Sequence, residues 1–99
     1  MPTVEQQHRT ILVVDDDPAI LKFVSGFLVD ADYRVLTASS GAAALQQSKD
    51  YEGEIDLLLS DFQMPAMSGI ELATQMCVDR PRLKVLMMSG FTGGMLVLN

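Results

Sequence analysis

Three short, unbroken apolar runs constrain this chain most: Ile11-Leu12-Val13-Val14, Leu57-Leu58-Leu59 and Val85-Leu86-Met87-Met88. Each is too short for a buried helix and long enough for a strand covered on both faces, and the segments between them switch to helical periodicity. That alternation is the signal for parallel strands joined by crossover helices, an α/β fold. Strands are expected over residues 10–15, 34–38, 55–60 and 83–88. Asp17 followed by Pro18 reads as a helix cap with proline in the first turn, and Ile20, Phe23, Val24, Phe27 and Leu28 trace one face of that helix to about Asp30. Ser39-Ser40-Gly41 opens an alanine-rich helix toward Asp50, and Ser68-Gly69-Ile70-Glu71 fits a capping box for a third helix, with Ile70, Ala73, Met76 and Cys77 inward and Pro81 closing it. Met95 to Asn99 is read as the start of a further helix, with a strand folded back beside the fourth as the alternative.

Length and charge narrow the function. With 99 residues, 48% of them apolar, the chain holds one domain with a real core, expected over 10–99 behind a flexible polar leader at 1–9. A net charge of −6 argues against direct contact with nucleic acid, and Arg80, Arg82 and Lys84 read as a solvated turn before a strand. No apolar run nears the roughly 20 residues that cross a bilayer, so no membrane contact and a cytoplasmic location are expected. One cysteine, Cys77, excludes an internal disulfide, and one histidine, His8 in the leader, argues against Ser-His-Asp or Cys-His catalysis.

The chemistry lies at the strand ends. Asp15-Asp16-Asp17 follows the first strand directly and Asp61 follows the third. In the order 2-1-3-4 those strands are neighbours whose connections leave on opposite faces, and ligands of open α/β sheets bind in the crevice so formed. Two unit charges ~5 Å apart at an effective dielectric of ~20 repel by roughly 3 kcal/mol, so clustered carboxylates call for a cation. Oxygen donors without nearby His or Cys favour a hard ion such as Mg²⁺, which suits phosphoryl chemistry. Asp61, standing alone, is the better candidate for a carboxylate nucleophile that forms an acyl phosphate. Asp17 is read as the helix cap, and Ser89, at the end of the next strand, as a hydroxyl within reach of a phosphoryl oxygen.

Together Ile11-Leu12-Val13-Val14-Asp15-Asp16-Asp17-Pro18, Leu58-Leu59-Ser60-Asp61-Phe62-Gln63-Met64-Pro65-Ala66-Met67-Ser68-Gly69 and Val85-Leu86-Met87-Met88-Ser89-Gly90 closely resemble the receiver domain of two-component response regulators. The resemblance implies an α/β, flavodoxin-like three-layer αβα fold with a parallel sheet in the order 2-1-3-4, C-terminally incomplete, and a phosphoprotein of a phosphorelay rather than a conventional enzyme, in which Asp61 accepts a phosphoryl group from a histidine kinase or a histidine phosphotransfer protein. It implies Mg²⁺ held by Asp15, Asp16, Asp61 and the backbone carbonyl of Gln63, Ser89 as a switch hydroxyl and Phe91 as a mobile aromatic switch. It departs at the C-terminus, where the family continues into a fifth strand bearing a lysine and a fifth helix, and this chain is read as stopping first. Of Lys22, Lys49 and Lys84 none substitutes: Lys84 begins the fourth strand, about five residues and hence about 16 Å from the acidic edge. Two expectations follow, Mg²⁺-dependent stabilisation and self-association through an open fourth-strand edge. The alternatives are a receiver that does not phosphorylate and serves as an interaction module, and a haloacid-dehalogenase-type phosphatase using Asp15 and Asp17.

Overall fold

In the computed structural model, which describes residues 8–88 and the backbone of 95–98, the apolar runs lie side by side at the centre of one sheet. Its strands are β1 (Thr10–Val14), β2 (Arg34–Ala38), β3 (Leu57–Asp61), β4 (Lys84–Met88) and β5 (Met95–Leu98), in the order β2-β1-β3-β4-β5. The first four are parallel, as expected, and are joined by α1 (Pro18–Asp30), α2 (Gly41–Asp50) and α3 (Gly69–Asp79). Local chemistry sets the helix starts. Asp17 accepts from the Ala19 N–H, Ser40 from that of Ala43, and Ser68 and Glu71 complete a reciprocal capping box.

Alternation along the strands divides the core in two. Leu12, Val14, Leu58, Val85 and Met87 face α2 and α3, meeting Ala44, Leu72, Ala73 and Met76. Ile11, Val13 and Leu59 face α1, where Leu21, Val24 and Leu28 pack against them. The inner stripe of α1 is thus rotated from the expected one: Phe23 and Phe27 are exposed, at 76% and 69%, and Leu21 takes the place beside Val24 and Leu28. The helix is apolar on almost every side, so periodicity alone did not single out the stripe that meets the sheet. In α3 the buried positions include Leu72, while Ile70 and Cys77 are only half-buried.

The C-terminal segment corrects two expectations. Residues 95–98 form a strand, not the start of a helix, and β5 runs antiparallel to β4 from Val85↔Leu98 to Met88↔Met95. Six residues separate β4 from β5, too few for the crossover of roughly a dozen residues that a parallel return requires. The edge of β4, expected to be open for self-association, is therefore paired within the chain. The leader up to residue 7, Ser89 and Phe91 lie outside the described residues. Among the described residues no helix is long and apolar enough to cross a membrane.

Candidate functional site

β1 and β3 are in register from Ile11↔Leu57 to Val14↔Ser60, so their carboxyl ends open on the same edge of the sheet. α1 covers one face and α3 the other, which leaves a crevice beyond these two strand ends. Asp15 and Asp16 follow β1 and Asp61 ends β3; each presents one carboxylate oxygen, and the three atoms lie within 4.8 Å of one another. Asp15 is buried, Asp61 half-buried and Asp16 exposed, so the cluster is anchored in the protein and open to solvent on one side.

Backbone hydrogen bonds orient two of the three. Asp15 Oδ1 accepts the Asp17 N–H at 2.8 Å, and the Asp15 N–H donates to the Ala38 carbonyl of β2 at 3.2 Å. Asp61 Oδ1 accepts the Gln63 N–H at 3.4 Å. The loop after Asp61 is tied down as well: the Phe62 N–H donates to the Met88 carbonyl at 2.9 Å, and the Gly69 N–H to that of Phe62 at 3.0 Å. Ala66 turns the loop in the left-handed region, at φ 70°. Gly69 then brings α3 so close to Asp61 that a Cβ there would collide with the Asp61 carbonyl and stand 2.7 Å from Met87 Sδ. In the sequence Gly69 reads as part of a capping box and as the last residue of the motif that runs from Leu58. Its role in seating the acidic residue depends on contacts no local motif reveals.

Burial pushes the Asp15 carboxyl above the usual carboxylate range, against the Asp17 N–H, and the negative charges of Asp61, Asp16 and Asp17 add to the rise. Burial also lifts Asp61, against the Gln63 N–H, with the charge of Asp16 adding to it. Among the described residues, no cation stands among the causes of either shift. Lys84 is exposed at the opposite end of the strands, four positions from Met88, the partner of Asp61, and so about 13 Å from the acidic edge. Lys49 is in the last turn of α2, and Lys22 lies exposed on α1. Asp17 spends its Oδ1 on the Ala19 N–H at 2.9 Å, which leaves it as a cap rather than a reacting group.

The donor set fits a hard divalent ion. Three carboxylate oxygens within 4.8 Å of one another, with no His or Cys among them, are the donors Mg²⁺ prefers, and the solvent-open side leaves room for the waters that ion keeps. The model of the response regulator receiver domain matches residues 11–97. This chain belongs to that family. Receivers are signalling modules of two-component systems, which sets aside the phosphatase reading. A two-component response regulator of Oryza sativa subsp. indica is 39% identical over 62 residues, covering 63% of this chain and 10% of that protein. A receiver domain from Clostridium thermocellum is 30% identical with a TM-score of 0.77, covering 82% of this chain and 64% of that one. The response regulator TrrA of Thermotoga maritima, crystallised with Mg²⁺ and beryllium fluoride, is 32% identical with a TM-score of 0.73, covering 82% of this chain and 69% of that one. The receiver spans between 9% and 17% of the length of the curated relatives it matches.

Proposed function

We propose that this receiver takes a phosphoryl group from a phosphohistidine onto Asp61, with Mg²⁺ held by Asp15, Asp16, Asp61 and the backbone carbonyl of Gln63. The convergence of three carboxylates within 4.8 Å of one another carries the reading. That the Thermotoga relative binds Mg²⁺ supports the choice of metal. An Asp61 oxygen attacks phosphorus, the P–N bond breaks with its electron pair passing to the imidazole nitrogen, and an acyl phosphate forms. The bound ion supplies charge neutralisation on the phosphoryl oxygens. Asp15, oriented by the Asp17 N–H, and Asp16 hold the ion; the Gln63 N–H keeps one Asp61 oxygen turned toward the backbone. Ser89 is assigned as the hydroxyl that meets the phosphoryl group and Phe91 as the aromatic residue that follows it. The phosphodonor is a histidine kinase or a histidine phosphotransfer protein.

Incubation with acetyl phosphate and Mg²⁺, read by intact mass, tests this. One phosphoryl adduct is expected, absent in Asp61→Asn and in the presence of EDTA. A folded, Mg²⁺-binding receiver that gives no adduct would overturn it in favour of an interaction module without phosphorylation.

A further inference from the structure

The two outer strands of the sheet, β2 and β5, end it in different ways. In β2 the Arg34 N–H donates to the Arg9 carbonyl and the Ala38 carbonyl accepts the Asp15 N–H, so both residues turn their backbone groups toward β1. By alternation Val35 and Thr37 turn theirs outward. That edge is guarded: the Gln47 side chain of α2 donates to the Thr37 carbonyl, and Arg34 sets a charge at the start of the strand. β5 has no such cover among the described residues. In β4 the Lys84 N–H donates to the Asp56 carbonyl and the Met88 carbonyl accepts the Phe62 N–H, so Lys84, Leu86 and Met88 bond toward β3 while Val85 and Met87 bond toward β5. Their partners in the register are Leu98 and Leu96, which therefore bond inward. The N–H and carbonyl of Met95 and of Val97 are left pointing outward. Met95-Leu96-Val97-Leu98 also lacks charge and proline, the residues that ordinarily blunt an edge.

We propose that β5 pairs edge to edge with β5 of a second copy of the chain, antiparallel about a twofold axis at Leu96. Centring on Leu96 sets Met95 of each copy against Val97 of the other. Both residues carry a free N–H and a free carbonyl on that side, so each pair exchanges two hydrogen bonds, and every outward group of the strand finds a partner. A slip of one residue would set outward groups against residues that bond inward. A slip of two would carry Met95 or Val97 past the end of the partner strand. The strand is thus complementary to itself in one register, which is what a closed twofold contact needs. Charge fixes the direction. Met95 lies level with Met88, and Met88 with Asp61, so β5 starts at the acidic edge. An antiparallel pair sends the acidic edges of the two copies to opposite ends of the joined sheet, whereas a parallel pair would bring them together at one end. The dimer leaves both acidic crevices open, and its outer margins are the guarded edges of β2, so assembly stops at two copies. Four residues make a short strand, which makes the contact reversible.

Sedimentation equilibrium of the whole chain from about 50 µM to about 2 mM, with amide exchange followed residue by residue over the same range, tests the proposal. A monomer that passes into a dimer is expected, and with it an alternating signature. The amides of Met95 and Val97 gain protection about tenfold or more as the concentration rises, while those of Leu96 and Leu98, already bonded to β4, change little. Val97→Pro removes an outward N–H that the chain itself does not use, at an edge where proline is tolerated, and should weaken association about tenfold or more while β4 keeps its protection. Val97→Lys keeps the N–H but sets two cations close to the axis, and should weaken association to a similar degree. Circular dichroism confirms that both variants stay folded; if proline disturbs β4, the lysine variant decides. A chain that stays monomeric throughout overturns the proposal. So does a dimer indifferent to Val97→Lys, or one in which Met95 and Val97 gain no more protection than Leu96 and Leu98, since it would be using another surface. Species larger than a dimer overturn the twofold arrangement.

Discussion

A carboxyl group whose folded pKa lies above its unfolded value holds its proton more tightly in the folded chain, so folding is favoured as the pH drops. Asp15 and Asp61 are both raised above 3.8, burial being the first cause. Without a divalent ion their penalty is complete at neutral pH, above the folded values, and is relieved as the pH falls through those values toward the unfolded ones. In EDTA, Asp61→Asn is therefore expected to be more stable than the wild type at neutral pH, with an advantage that shrinks as the pH approaches the ordinary carboxylate range. Urea midpoints at successive pH steps measure this, and saturating Mg²⁺ should reverse the order at neutral pH, because only the carboxylate holds the ion. Two glycines make a second test at this scale. Gly69→Ala forces a methyl group against the Asp61 carbonyl and is expected to cost about 1–3 kcal/mol and to weaken Mg²⁺ binding. Gly26→Ala, with open space around it, is expected to stabilise the fold by about 0.5–1 kcal/mol. Equal effects at the two positions, read from denaturant midpoints and Mg²⁺ titration, would show that contact with Asp61 is not what Gly69 serves.

Elements whose ends are written in neighbouring residues were legible before the structure. The apolar runs of β1, β3 and β4, the Asp17 cap with Pro18, and the Ser68–Glu71 box all appear where local chemistry puts them, within two residues. The acidic site was legible for a related reason: once two parallel strands are neighbours, their C-terminal residues must meet, and Asp15, Asp16 and Asp61 do. What depends on distant partners was not. The inward stripe of α1 is set by the sheet, and Leu21 escaped notice because Phe23 and Phe27 fit a helical period equally well. β5 follows from the short connection after β4 rather than from the propensity of its own residues. Arg80 read as part of a solvated turn, yet its guanidinium donates to Ser48 Oγ and to the carbonyls of Ser48, Tyr51 and Gly53 at 2.8–2.9 Å, joining the ends of α2 and α3. Those partners are 27 to 32 residues away, beyond any local pattern.

At the scale of the whole molecule, the two faces of the sheet are unequal. Among the described residues, twelve buried positions form the core on the α2–α3 side, and three form the core beneath α1. Few buried apolar contacts mark the parts of a fold that open first, so α1 should separate from the sheet in a sub-global opening that leaves the α2–α3 side intact. Hydrogen exchange in dilute solution is the measurement. Amides of α1 are expected to exchange with a smaller opening free energy than those of α3, and those of the central strands β1 and β3 to exchange last. Leu72→Ala, in the larger core, is expected to lower global stability by about 2–5 kcal/mol and to speed every protected amide. Val24→Ala, in the thinner layer, should speed α1 while leaving β3 nearly unchanged. If instead α1 and β3 exchange with one common free energy, the thin layer is not an independent unit and the receiver opens all at once.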